Sequence, residues 1–274
     1  MVATIGFFDG MHEGHRYVIS QVMELAEKRG DGSVVLTFDR HPTALFCPDR
    51  VPKMLLTPEE KMEKIAACGV EDVVMFEFDE ELASLTANEF LQILKEDYGV
   101  DTLLLGYDNH FGKKEKDENG NFINPTFEDY VKKGKEEGVR IKLLKEYRSE
   151  KSGNEKSGNE KSPNHQIVQS SNATSSSTLI RKLLLDGNLE EANRRLGYRY
   201  SLSGKVVSGF QIGRKIGFPT ANLKADETKL IPKNGVYAAL AEIKSSNHQI
   251  AQSPNHQIAQ SSDAMLKAIV NIGS

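Results

Sequence analysis

Five short runs of continuous apolar and β-branched residues, alternating with stretches that carry helix signals, constrain this chain most. The runs are Val2–Phe8, Ser33–Phe38, Asp72–Phe78, Thr102–Leu105 and Val139–Leu144. They do not alternate apolar with polar, which fits strands buried on both faces of a parallel sheet. Thr57-Pro58-Glu59-Glu60 is a capping box with Pro at the first helical position, and it predicts a helix to about Cys68. Thr86-Ala87-Asn88-Glu89 opens another, running to about Tyr98 and stopped by Gly99. A further helix is expected after Thr126, and the first should follow Gly10–His15. Strand–helix alternation repeated five times predicts a doubly wound α/β domain.

Beyond this region Ser175–Leu185 and Leu189–Leu196 read as two short helices. From Tyr200 the texture changes. Tyr200–Val207, Gly235–Lys244 and Met265–Ile272 alternate as strands between Gly- and Pro-rich loops, which predicts a small all-β domain, a barrel. The boundary is placed near Gly197–Ser201, dividing the chain into 1–198 and 199–274. Two polar insertions interrupt the domains at about 149–173 and 245–262. They contain a doubled KSGNE and three copies of an Asn-His-Gln-Ile phrase. Rich in Ser, Asn and Gln, they cannot bury enough apolar surface to fold.

The composition excludes several classes. With 35 Lys+Arg against 39 Asp+Glu, the net charge of −4 offers no general attraction for nucleic acid or anionic lipid. Cys47 and Cys68 cannot form a disulfide framework or a four-ligand zinc site. No apolar run approaches the ~18–20 residues of a membrane span, and the N-terminus lacks the basic start of a signal peptide. The expected compartment is the cytoplasm, and the expected partners are small molecules.

Of seven histidines, three (His165, His248, His256) sit in the repeated phrases, and four (His12, His15, His41, His110) precede residue 111. The first strand runs into Gly6-Phe7-Phe8-Asp9-Gly10-Met11-His12-Glu13-Gly14-His15, where an open α/β sheet binds ligands. His12 and His15, three apart at a helix start, fall on one face. A helix N-terminus is already an anion site, where two imidazoles could stabilise a transferring phosphate. Metal ligation, or a merely polar exposed turn, accounts for such a pair equally well. Neither a Walker A pattern nor a GxGxxG follows the first strand, which argues against a P-loop nucleotidase and a dinucleotide dehydrogenase. Ser176-Ser177-Thr178-Leu179-Ile180-Arg181 opens a helix with hydroxyls and an Arg one turn in, a cradle for polyphosphate or an ordinary N-cap. In the C-terminal part, Gly204–Gly209 and Gly213–Leu223 read as a glycine-rich flap over phosphates, or as an ordinary glycine-rich hairpin loop beside a strand whose polar residues include Thr220 and Asn222. These two lie two apart on a strand and share one face; both are oxygen donors suited to Mg²⁺.

The pairing of HxGH after the first strand with SSTxIR after the last resembles the HxGH nucleotidylyltransferase superfamily. Thr37-Phe38-Asp39-Arg40-His41-Pro42 and Gly106-Tyr107-Asp108-Asn109-His110-Phe111-Gly112 resemble the TFDPHP and GxDFxFG segments of prokaryotic FAD synthetase. Gly213-Arg214-Lys215-Ile216-Gly217-Phe218-Pro219-Thr220-Ala221-Asn222, with Pro232, Gly235-Val236-Tyr237 and Asn271-Ile272-Gly273, looks like the riboflavin kinase barrel. Together they resemble the bifunctional riboflavin kinase/FAD synthetase family, over essentially the whole chain outside the insertions.

The resemblance implies a Rossmann-like adenylyltransferase domain with a parallel sheet, then a riboflavin-kinase-type barrel. It implies phosphorylation of riboflavin to FMN and adenylylation of FMN to FAD, with ATP as co-substrate and Mg²⁺ for both steps. His12, His15 and Arg181 map to the catalytic groups, and Gly6, Phe8, Gly10, Gly14, Ser176, Ser177 and Thr178 to ATP and phosphate binding. Asp39, His41, Gly106, Asp108 and Phe111 map to the nucleotide and flavin side. Gly209, Gly213, Arg214, Gly217, Pro219 and Thr220 map to the kinase flap and its ATP, and Thr220 and Asn222 to its Mg²⁺. The family carries a carboxylate base after an N-I-G-x-x-P-T phrase, whereas this sequence reads Asn271-Ile272-Gly273-Ser274. The expectation is therefore a truncated, incomplete barrel without kinase activity and poorly folded, and a shortened segment before the first strand. Phe8 stands where Asn is common and Arg40 where Pro is common. Two rival readings stay open: an adenylyltransferase for another phosphate-bearing acceptor, and a non-catalytic flavin- or nucleotide-binding fragment.

Overall fold

Val2–Ile5 forms β1, four residues without solvent-facing side chains, and the rest of the first region is laid out around it. The computed structural model describes residues 1–106, 109–114, 121–123, 125–144, 176–209, 217, 220–243 and 265–273. Both insertions lie outside the described residues. With β2 (Ser33–Phe38), β3 (Asp72–Phe76), β4 (Thr102–Leu105) and β5 (Arg140–Leu143), β1 builds a five-stranded sheet in the order β3-β2-β1-β4-β5. Every pairing is parallel. The order reverses at β1, so its carboxyl end faces the crevice between β1 and β4, where doubly wound sheets hold ligands.

The connecting helices are α1 (Glu13–Arg29), α2 (Thr43–Phe46), α3 (Pro58–Ala66), α4 (Glu80–Ser84), α5 (Ala87–Tyr98) and α6 (Phe127–Glu137). Thr57, Thr86 and Thr126 each accept a hydrogen bond from the third residue of the helix they cap, and Glu60, Glu89 and Asp129 complete the boxes. Gly99 ends α5 in the left-handed conformation, as its position predicts. Val34 and Leu36 of β2 pack with Ala3, Ile5, Leu91 and Leu94 on one face of the sheet, while Val35 packs with Ile19 and Ile65 on the other. Burial of both faces explains why these strands read as unbroken apolar runs.

After the first insertion come α7 (Ser177–Asp186) and α8 (Leu189–Leu196). Ile180, Leu184, Ala192 and Leu196 form a further core with Leu55 and, from the C-terminal region, Leu230. That region is β-rich: β6 (Gly204–Val207) pairs antiparallel with β7 (Asn222–Ala225), and β8 (Gly235–Ala241) with β9 (Leu266–Ile272). The two ladders remain separate sheets among the described residues.

Candidate active site

β1 stops at Ile5, short of the apolar run's end, because the backbone then turns sharply. Phe8 and Met11 adopt φ of 51° and 40°, the left-handed region that side chains avoid, with Gly10 at 83° between them. Asn reaches this region more readily than Phe, which gives a physical meaning to the departure at position 8. Such strain persists only where its surroundings over-determine it. Here Phe8 and Met11 are buried in the core beneath α1 and α3. The Phe8 ring lies against Gly6, and its edge meets His15 at 5.3 Å. A side chain at Gly10 would come within 2.6 Å of Leu55.

The turn delivers His12 to the N-cap of α1 and His15 to its first turn. Their rings stack at 3.7 Å with 21° between planes. His12 forms no side-chain cap, so its side chain does not occupy the first amides of α1. Both Nδ1 atoms are buried with no hydrogen-bond partner. Burial, then the Arg16 charge, lowers His12 to about 4. Burial, then His12, Lys61 and Arg16, pushes His15 well below its ordinary value. At neutral pH both imidazoles are uncharged, which leaves each ring one N–H to donate. Arg16 fixes the loop by donating to the carbonyls of Met11 and Leu196, both at 2.7 Å.

Asp9, 2% exposed, joins this loop to α7. Its carboxylate accepts the Leu55 and Leu56 amides at 3.0 Å and pairs with the Arg181 guanidinium. Arg181 Nε also donates to the Lys53 carbonyl at 2.8 Å, and Ser177 Oγ donates to the Asp9 carbonyl at 2.7 Å. Ser176 caps α7 through the Leu179 amide. Thr178 and Arg181 then line an open cleft of about 590 Å³ with His41, Thr43, Arg50 and Lys182. The structure thus brings the two distant motifs, HxGH and SSTxIR, to one place.

On the far side of the crevice, His41 meets the edge of Phe7 at 5.0 Å and accepts the Thr43 amide. Asp39 accepts the Phe78 amide at 2.8 Å and pairs with Arg40, tying the ends of β2 and β3. Gly106 accepts the Asn109 amide, and the Asn109 side chain donates to the Ile5 carbonyl at 2.6 Å, clamping β4 to β1 at the reversal. Phe111 stacks on Tyr130 at 4.5 Å. Asp108 lies outside the described residues.

Sequence reasoning missed three groups: Asp9 as the junction, Asn109 as the clamp, and Lys61. Lys61 is 1% exposed, donates to the Phe7 and Phe38 carbonyls, and stands 4.1 Å over the Phe7 ring. Burial lowers it to about 8 against the pull of Asp9 and Asp39. A charged residue on the inner face of a capped helix was the available signal.

Of the kinase-side residues, Gly209, Gly217, Thr220 and Asn222 are described and exposed, while Gly213, Arg214 and Pro219 lie outside the described residues. The Asn222 amide lies against Gly209, where a side chain would collide. Thr220 and Asn222 supply hard oxygens of the kind Mg²⁺ takes. Among the described residues no cluster of three or more His, Cys, Asp or Glu is arranged to hold a metal, and no helix is long and apolar enough to cross a membrane.

The parallel sheet with an HxGH loop at its reversal and a hydroxyl-capped, Arg-bearing helix beside it defines a nucleotidyltransferase-like α/β domain with a β-rich companion. Residues 1–152 match the FAD synthetase family model, and residues 196–274 the riboflavin kinase model. The chain is 34% identical over 251 residues to a bifunctional riboflavin kinase/FMN adenylyltransferase of Listeria monocytogenes, covering 90% of this chain and 69% of the relative. It is 34% identical to the Escherichia coli K12 protein of the same name (86% and 66% covered) and 32% to that of Bacillus subtilis (88% and 67%). It spans about two thirds of the length of these relatives. A crystal structure described as a macrolide-efflux protein from Streptococcus pneumoniae matches with a TM-score of 0.70 at 27% identity, covering 99% of this chain and 73% of the other. The chain belongs to the bifunctional riboflavin kinase/FMN adenylyltransferase family, transferases of flavin cofactor synthesis.

Proposed function

We propose that the crevice at the end of β1 transfers the adenylyl group of ATP to the phosphate of FMN. One observation carries this reading: Asp9, in the loop that leads into the stacked His12–His15 pair, holds Arg181 of α7 and accepts Ser177 at that helix's N-terminus. An FMN phosphate oxygen attacks the α-phosphorus in line, the bond to the β-phosphate oxygen breaks, and pyrophosphate leaves. No protein nucleophile is required. His12 and His15, uncharged and with their Nδ1 atoms unpaired, meet the charge that develops on the α-phosphate. Ser176, Ser177, Thr178 and Arg181 hold the departing phosphates, with Gly10 and Gly14 letting the backbone approach. Gly6 and Phe8 shape the turn beneath, and Asp39, His41, Gly106, Asp108 and Phe111 line the nucleotide and flavin side. For the test, His12→Ala should lower kcat for FAD formation by about 10²–10³-fold. A rate within threefold of the parent would overturn the assignment. Offering 4′-phosphopantetheine in place of FMN tests the rival acceptor.

The other activity, the ATP-dependent phosphorylation of riboflavin that supplies FMN, is assigned to the β-rich region. Gly209, Gly213, Arg214, Gly217, Pro219 and Thr220 serve the flap and the nucleotide. Thr220 and Asn222 would hold Mg²⁺, which neutralises phosphate charge when bound. FMN formation from riboflavin and ATP, lost in Asn222→Ala, tests this assignment. The substrates are small metabolites, and we place the chain in the cytoplasm.

A further inference from the structure

The stretch Lys53–Leu56 has two edges. Its inner edge belongs to the site: the Leu55 and Leu56 amides hold Asp9, and the Lys53 carbonyl holds Arg181. Its outer edge is held by residues far along the chain, in the part that resembles riboflavin kinase. Met54 N–H donates to the Thr228 carbonyl and Leu230 N–H to the Met54 carbonyl, both at 2.7 Å. Lys53 Nζ donates to the Glu227 carbonyl at 2.6 Å, and Lys233 N–H to the Leu184 carbonyl on α7 at 3.0 Å. Leu230 completes the core under α7 and α8.

Between these contacts lies Lys229, 2% exposed. Its ammonium donates to the Leu55 carbonyl at 2.8 Å, pairs with Glu60, and lies 5.0 Å from the centre of the Tyr200 ring. Glu60 is the residue that closes the capping box of α3, and it also accepts Ser203. A buried ammonium is costly to leave without its acceptors, so Lys229 and the Leu55 carbonyl hold each other in one arrangement. The arrangement fixed here is that of the Leu55 peptide group, whose neighbouring amides set the Asp9 carboxylate. Neither the adenylyl-transfer mechanism nor the kinase assignment uses Lys229.

We propose that Lys229 is a positioning residue of the adenylyl-transfer site, acting through Leu55 and Asp9 on Arg181. The segment 226–233 is accordingly a built-in part of the adenylyltransferase although it lies within the riboflavin-kinase match. The inference rests on the assignment of Arg181 to the polyphosphate.

A double-mutant cycle with Lys229→Met and Asp9→Asn tests it, read by FAD formation from ATP and FMN. Lys229→Met should lower kcat/KM for ATP about tenfold, and have much less effect once Asp9→Asn is present, because both act on Arg181. Effects that simply multiply would overturn the relay. Glu60→Gln keeps the Lys229–Leu55 bond and should stay within threefold of the parent. A loss equal to that of Lys229→Met would assign the effect to the ion pair and overturn the route through Leu55. Hydrogen exchange supplies the readout independent of the reaction. In Lys229→Met the Leu55 and Leu56 amides should exchange at least tenfold faster while Leu36 and Leu91 stay protected. Unchanged exchange at Leu55 and Leu56, or lost protection at Leu36 and Leu91 as well, would overturn the proposal. A parent chain that makes no FAD would instead refute the assigned reaction, and the exchange result would judge the relay alone.

Discussion

β1 and β6 are both four-residue strands of one chain, yet all four residues of β1 are buried and all four of β6 are exposed. The same contrast separates the two regions. The parallel sheet is covered on both faces, whereas in the β-rich region Val206, Val236 and Ile269 stand 71%, 72% and 82% exposed. Burial on all sides is what lets the first region hold a strained turn, two neutral histidines and a buried carboxylate in fixed relation. Where the described strands carry exposed side chains, packing adds little to the cross-strand bonds, and a site there takes its geometry from other contacts.

The comparison breaks first at Asp9. Asp9→Ala leaves Arg181 and two amides without their acceptor, and should cost roughly 3–5 kcal/mol in chemical denaturation. A loss below 1 kcal/mol would mean that the buried junction is not rigid. Next, Leu91→Ala in the sheet core should cost about 2–5 kcal/mol, whereas Val206→Ala on β6 should stay within about 0.5 kcal/mol. Equal losses would erase the distinction between the regions.

Acid should act on the first region through His12. Its folded pKa lies below the unfolded value, so the neutral form's advantage is complete above about 6.5 and is lost as the pH falls toward 4. The stability difference between the parent and His12→Gln should shrink by about 3 kcal/mol between pH 7 and pH 4. Denaturation midpoints at those two pH values measure it, and a constant difference would place His12 in solvent. The smallest effect is expected at a helix end: Thr86→Ala should cost about 1 kcal/mol through the lost cap, seen as a lower thermal midpoint.

Much of this was legible because the signals are local. Unbroken apolar runs named the five parallel strands, Thr-x-x-Glu named two helix starts to within a residue, and a third was placed after Thr126, where the helix begins. The strands at Ser33–Phe38 and Thr102–Leu105 fall where the sequence puts them. β1 ends three residues early because the Phe8 backbone turns into the left-handed region, which no apolar pattern reports. α2 and α4 escaped notice because four and five residues carry too little periodicity. The partners of Asp9 and Lys229 were illegible for another reason. Each is 46 to 174 positions away, and a carboxylate or ammonium in a sequence carries no mark of burial.

By itself the sequence determined the class of the first region, the β-rich character of the second, and the motif residues, since these depend on neighbours within one helix turn or strand. Tertiary structure alone decided that Asp9, in the loop before HxGH, would bind Ser177 and Arg181, that His12 and His15 would be neutral and stacked, and that Lys229 would be buried against Leu55 and Glu60. Those properties come from desolvation and from contacts between distant segments. They exist only once the sheet, its helices and the segment Lys53–Leu56 have closed around the same buried groups.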